Sequence, residues 1–205
     1  MLPPGDATSA SNTRRVLIVG GPGSGKTTFA RRIASALRLP HHDLDRIGYD
    51  PPDLHPNAPF WQWTRVADND RRERAGRLAA TDGWVVDGLY AGWTVALRNA
   101  SDVIVWLDPP TPVTTWRVLR RAIEHRARGG RDWDVRSVVR VARGAHNFRT
   151  RPPATDEQLR ERDGANGAST LAAFLGPAAN KLIHCRTTAD IRRTLECLSK
   201  GPGPT

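Results

Sequence analysis

Residues 20–27 read Gly20-Gly21-Pro22-Gly23-Ser24-Gly25-Lys26-Thr27, which fits G-x-x-x-x-G-K-[ST]. The apolar run Val16-Leu17-Ile18-Val19 precedes it, and the helix-forming stretch Thr28-Phe29-Ala30-Arg31-Arg32-Ile33-Ala34-Ser35-Ala36-Leu37 follows. Strand, glycine loop and helix in that order give the motif the setting a phosphate site needs. Glycines let successive backbone N–H groups turn inward around a polyphosphate. The helix start adds unpaired amides and the positive end of its dipole. Gly20, Gly21, Pro22, Gly23, Ser24 and Gly25 thus form a candidate nucleotide cradle. In such a cradle Lys26 neutralises the β- and γ-phosphates, and the Thr27 hydroxyl takes a Mg2+ ligand position. Thr28 stands where a hydroxyl donates to the α-phosphate, or serves as an ordinary first-turn residue. The spacing excludes a dinucleotide fingerprint, because no G-x-G-x-x-G can be drawn through these glycines. The rival reading is a plain glycine turn; the full context favours ATP or a similar nucleoside triphosphate, taken up with Mg2+.

Outward from the loop, short apolar runs alternate with longer helical patterns. Strands are expected over 15–20, 40–45, 84–87, 103–108 and 181–185. Helices are expected over 25–38, 60–80, 90–99, 111–128, 133–147, 155–162, 168–175 and 188–198. Alternation of this kind builds an α/β domain, a three-layer α/β/α sandwich around a mostly parallel five-stranded sheet. Ligands in such folds sit beyond the carboxyl ends of the strands. Acids arrive at that edge: Asp43 and Asp45 close the second expected strand, Asp87 the third and Asp108 the fourth. A carboxylate there holds magnesium directly or through water. Each also fits a turn or helix-capping role, Asp108 before Pro109-Pro110 most of all.

The chain has 205 residues and a net charge of +10, enough for one domain with a real core. That domain is expected over 14–198, between polar tails at 1–13 and 199–205. No apolar run approaches the ~20 residues that span a bilayer, and the first residues lack the basic and apolar stretches of an export signal. A cytoplasmic protein is the expectation. Cys185 and Cys197 fall in periodic apolar segments and read as buried reduced thiols. Arginines crowd the stretch from Arg117 to Arg151, a field that attracts phosphates on nucleotides or nucleic acid. A GC-rich genome gives the same arginine excess.

These motifs resemble the small-molecule kinases of the P-loop NTPase class, adenylate kinase among them, and more closely the short bacterial topology modulation proteins. The loop resembles that of adenylate kinases, though theirs continues Gly-Thr after the lysine where this chain has Thr27-Thr28. Leu39-Pro40-His41-His42-Asp43-Leu44-Asp45 is similar to the family's second strand, and Asp43-Leu44-Asp45 to the Asp-x-Asp of shikimate-type kinases. Trp84-Val85-Val86-Asp87-Gly88-Leu89-Tyr90 is similar to the topology modulation segment Asp-Gly-x-Tyr. Val103 to Asp108 followed by Trp116 to Arg121 fits the strand that leads into an arginine-bearing lid, here short and over about 117–150. The arginine that follows Asp-Gly in adenylate kinases is missing, and 150–178 matches no named segment.

The resemblance implies phosphoryl transfer from ATP to a small acceptor: a nucleoside, nucleotide or similar metabolite. Lys26, Asp45, Arg117 and Arg121 are then the catalytic candidates, with Asp45 taking the acceptor's proton. Asp43, Asp45 and Tyr90 bind the acceptor, and Thr27 with Asp87 holds Mg2+, Asp108 being the second choice. Arg117 and Arg121 stand four apart, on one helix face, where guanidinium forks suit phosphate oxygens; a solvated face is the alternative. Gly129-Gly130 is placed as the lid hinge. Trp84, Trp106 and Trp116 read as core; Phe60, Trp61 and Trp63 read as core or as an aromatic wall beside the acceptor. His41, His42 and His55 lack the spacing of a zinc site. Two other readings stay open: an NTPase or end-directed kinase acting on nucleic acid, and a nucleotide-sensing switch without efficient transfer.

Overall fold

The computed structural model describes residues 13–53, 62–127, 135–161, 163 and 166–199. Within its helices it leaves out the side chains at 118, 121, 122, 125–127, 135–138, 140–142, 145 and 160. Five strands form one sheet: β1 (Arg15–Gly20), β2 (His41–Asp43), β5 (Trp84–Gly88), β6 (Val103–Leu107) and β7 (Leu182–Cys185). Their order is β2-β5-β1-β6-β7, and every neighbouring pair is parallel. A parallel sheet must be covered on both faces, which is why Val16 to Val19 in β1 and Trp84 to Val86 in β5 are apolar without a break.

Alternation along the strands sorts the core into two layers. Val16, Ile18, Val85, Val105 and Leu107 face one side. There they meet Phe29, Ala30, Ile33 and Ala34, the buried stripe of α1 (Lys26–Leu37), and partly buried residues of α9 (Thr188–Ser199). Leu17, Val19, Trp84, Val86, Ile104 and Trp106 face the other side. That layer is closed by α3 (Asp68–Ala79), α4 (Val95–Ala100) and α8 (Ala168–Leu175). The expected three-layer α/β/α sandwich is the observed one, with the five main strands wholly parallel.

Local departures from expectation have local causes. The expected strand over 40–45 stops at Asp43, and α2 (Leu44–Gly48) begins at once. Asp43 caps it, its side chain accepting from the Asp45 amide at 2.9 Å, so Asp45 belongs to a first helical turn and not to a strand end. Instead of a helix from residue 60, β3 (Tyr49–Asp50) and β4 (Thr64–Arg65) make a short antiparallel ribbon. The helix starts only at Asp68, where Asp68 and Asp70 suit its positive end. Phe60, Trp61, His55 and the Gly129-Gly130 hinge lie outside the described residues. So do the tails, except Thr13 and Ser199, which closes α9. Trp116 is not core: it is 62% exposed on α5 (Thr111–Ala127), which pairs with α6 (Val135–Thr150) as a hairpin. Cys197 is exposed too, because α9 turns Ile191, Thr194, Leu195 and Leu198 inward; Cys185 is buried as expected. Among the described residues no helix is long and apolar enough to cross a membrane.

Segment 150–178, which resembles no named family segment, carries α7 (Asp156–Glu161) and α8 where helices are expected, and Asp163 ties the outer layer together. Arg71 of α3 is fully buried, its guanidinium bonded to Asp163 at 2.8 Å and to Asp68, and it lies over the Trp93 ring. Asp163 also accepts from the Tyr49 hydroxyl at 2.6 Å and from Arg65 Nε at 3.1 Å. A guanidinium buried this deeply is tolerable only with its carboxylates in place. Asp163→Ala should therefore lower the unfolding free energy by about 3 kcal/mol, visible as an earlier urea midpoint. An unchanged midpoint would show that Asp68 alone satisfies Arg71.

Candidate active site at the carboxyl edge of the sheet

The phosphate loop leaves the central strand β1 and turns into α1. Gly25 precedes the helix at φ 93°, a left-handed conformation that glycine adopts without strain. No side chain caps α1, so amides of its first turn stay open to an anion. A Cβ on Gly20 would sit 2.5 Å from the Leu107 carbonyl oxygen and 2.7 Å from Ser24 Oγ, so the loop's start admits no side chain. Ser24 is 2% exposed, and its hydroxyl has no hydrogen-bond partner among the described residues. An orphan hydroxyl within a loop of this shape is the kind of group a phosphate oxygen satisfies.

Register then decides what meets the loop. Ile18 pairs with Asp87 and Asp43 pairs with Asp87, so both acids lie on the α1 face of the sheet. The Thr27 hydroxyl donates to Asp87 Oδ2 at 2.7 Å, and Asp87 is 1% exposed. A hydroxyl and a carboxylate are hard oxygen donors. Mg2+ binds through one or two carboxylates together with substrate phosphates, so the pair fits that ion. His41 Nε2 lies 2.6 Å from the other oxygen, Asp87 Oδ1. The motifs give His41 no role, although its place two residues before Asp43 puts it on the same face of β2. Asp108 is spoken for: it accepts from Arg149 at 2.6 Å and stands 3.2 Å from His184 Nε2, which stacks on Trp106. Asp108 lies beside Gly21, Pro22 and Ser24 of the loop, whereas Asp87 is the carboxylate bonded to Thr27.

Asp45 sits across the site, on α2, with the Tyr90 hydroxyl donating to Oδ1 at 2.5 Å. Burial pushes the Asp45 carboxyl up, while the Tyr90 bond pulls it down; Asp43 raises it and Lys26 lowers it. Burial likewise raises Asp43, against its bond from the Asp45 amide, with Asp87 adding to the rise and Lys26 opposing it. These couplings bring Lys26, Asp43, Asp45 and Asp87 into one electrostatic neighbourhood. Tyr90 stays a donor, because burial and Asp45 hold its hydroxyl well above its ordinary range. Tyr49 stands behind it, ring centroids 6.4 Å apart, and Trp93 flanks it at 5.2 Å. Trp63 lies under the Arg46 guanidinium at 5.5 Å. Arg117 reaches the loop from α5, donating to the Ser24 carbonyl at 2.8 Å. Arg121 shares that helix, with its side chain outside the described residues. Phe148, also buried, backs the loop: its ring lies within 3.0 Å of where a Gly21 Cβ would stand. A cavity of about 410 Å³ lined by Ala91, Gly92, Val95, Leu159 and Phe174 includes, among the described residues, none from the loop.

No family model matches the chain. Over 111 aligned residues it is 30% identical to a cytidylate kinase of Aeropyrum pernix, a match that covers 51% of this chain and 63% of that protein. The chain thus spans less than two thirds of the length of that curated relative. Among solved structures, a gluconokinase from Sinorhizobium meliloti is similar at 16% identity and a TM-score of 0.46, covering 93% of this chain and 94% of that one. A shikimate kinase from Bacteroides thetaiotaomicron is similar at 15% identity and a TM-score of 0.41, covering 92% and 97%. In fold, the chain is an α/β protein whose glycine-rich loop lies at the carboxyl edge of a five-stranded parallel sheet.

Proposed function

We propose that this chain transfers the γ-phosphoryl group of ATP to a hydroxyl of a small acceptor, a nucleoside, nucleotide or similar metabolite. The observation that carries the reading is the placement of two chemistries within one electrostatic neighbourhood. The Thr27–Asp87 pair sits at the mouth of the phosphate loop, and the half-buried Asp45 feels the charge of Lys26 from that loop. The partial likeness to a cytidylate kinase supports the same reaction class.

Phosphoryl transfer asks for positioning and charge neutralisation more than for covalent chemistry from the protein. The loop amides and Lys26 bind the triphosphate, with Thr28 at the α-phosphate. Thr27 and Asp87 would hold Mg2+, which would supply neutralisation of the phosphate charge. Asp45 accepts the attacking hydroxyl's proton, helped by a carboxyl that burial makes more basic. Asp43 and Tyr90 hold the loop around it and the acceptor. Arg117, already bonded to the loop carbonyl of Ser24, and Arg121 neutralise charge as the phosphoryl group moves. A product screen with ATP, Mg2+ and a metabolite panel tests the whole reading. A new phosphorylated species is expected; ADP and phosphate alone across the panel would sink it.

Two variants sharpen the roles. Arg117→Ala should lower turnover by roughly 10²-fold or more while ATP affinity changes little; equal turnover removes this arginine from catalysis. Asp45→Asn should lower turnover by roughly 10²-fold or more and yet raise the melting temperature at neutral pH. The sign follows from linkage: a carboxyl raised by burial binds its proton more tightly folded than unfolded. Its ionisation therefore weakens the folded state as pH climbs through the folded value. The variant's gain should vanish in acid, below the ordinary carboxylate value of about 3.9. A variant that melts lower at pH 7 would contradict it.

A further inference from the structure

His41 belongs to neither the loop nor the acceptor side, yet its imidazole is the second partner of the carboxylate on which the metal site depends. Asp87 is 1% exposed and both its oxygens are engaged, Oδ2 by the Thr27 hydroxyl at 2.7 Å and Oδ1 by His41 Nε2 at 2.6 Å. Two contacts on opposite oxygens leave the carboxylate plane no freedom to rotate. An ionised carboxylate offers about four lone-pair positions, so one bond to each oxygen leaves room for a ligand. His41 is itself placed by the sheet. It stands on edge strand β2, opposite Val85 in a parallel register, two residues before Asp43 and on the same face. The backbone thus fixes the donor, the donor fixes the carboxylate, and the carboxylate fixes the threonine hydroxyl.

We infer that His41 is a positioning residue for the divalent cation of the nucleotide complex: its Nε2 contact with Asp87 Oδ1 locks the carboxylate that, with Thr27, holds the ion. The inference rests on the reading of Thr27 and Asp87 as the metal pair. Partners that orient a metal's ligands commonly matter about 10–100-fold for metal affinity when removed. A side chain that merely packed β2 against β5 would show no such selectivity for the metal over the nucleotide.

The test uses the full chain, a non-hydrolysable ATP analogue and Mn2+ as a paramagnetic probe, with free Mn2+ read by electron paramagnetic resonance. His41→Ala should weaken Mn2+ uptake into the nucleotide complex by roughly 10-fold or more, while metal-free analogue affinity stays within about 2-fold. His41→Gln places an amide N–H near the position of Nε2 and should restore most of the uptake. His41→Asn, too short to reach, should behave like alanine. The glutamine–asparagine pair decides the matter if the alanine protein does not fold. Unchanged Mn2+ uptake in the alanine and asparagine variants overturns the inference, as does an equal loss of metal-free nucleotide binding. Asp87→Asn and Thr27→Ala separate the two levels. If they lose Mn2+ and the His41 variants do not, only the role of His41 falls. If they keep it, the metal-pair reading falls with it.

Discussion

Everything at this site depends on the parallel register that puts Ile18 opposite Asp87 and Asp87 opposite Asp43. Because neighbouring strands run the same way, their carboxyl ends gather at one edge, and alternation points their last polar side chains to the face that α1 covers. The first turn of α1 then meets a buried carboxylate, and the Thr27–Asp87 bond closes the contact. A slip of one residue in β5 would turn Asp87 toward the tryptophan-rich layer and leave a buried charge without a partner. Core and chemistry are therefore specified by the same pairing.

The two faces of the sheet divide the labour. On the α1 side, small and branched residues pack closely beneath a helix whose first turn has no side-chain cap. On the other side, Trp84, Trp93 and Trp106 fill a thicker layer whose outer wall is held by ion pairs. The Arg71–Asp163 pair sits there with Tyr49 as a third partner, and Tyr49 stands beside Tyr90, which holds Asp45. Asp163 thus supports Asp45 through a chain of contacts. The α5–α6 pair is anchored differently. Arg149, at the end of α6, bonds the Asp108 carboxylate and backbone and the Pro109 carbonyl, next to where α5 begins. Both legs of the hairpin are fastened at the end of β6, close to the loop that Phe148 supports.

Much of this is legible in the residues. The loop motif sets strand, turn and helix within a residue or so, because glycine spacing and apolar runs are local signals. Asp87 is readable because a single acid ends a strongly apolar strand. Asp45 is found but misplaced: its pattern cannot say that Asp43 ends the strand and caps a helix, since one aspartate side chain serves either role. His41 escapes for a different reason. Its meaning comes from which strand lies next to it, and β2 pairs with β5, some 40 residues further along the chain, rather than with a sequence neighbour. Trp116 and Cys197 differ from expectation because helical periodicity shows that a face exists, not which helix is lifted off the sheet or how it is rotated. Asp163 and Arg71 form a long-range pair for which nothing in either local sequence gives a sign.

In the proposed function, the amides between Gly21 and Thr27, with Lys26, enclose the phosphates of a nucleoside triphosphate whose metal would rest against Thr27 and Asp87. Calorimetric titration of the folded protein with Mg-ATP tests it most directly. Saturable binding below millimolar concentration is expected, and Lys26→Ala should weaken it at least about 10-fold, since one lost charge-assisted contact is worth about 1.5–3 kcal/mol. No heat of binding at millimolar Mg-ATP or Mg-GTP, or an affinity that is the same with and without the Lys26→Ala change, would contradict it.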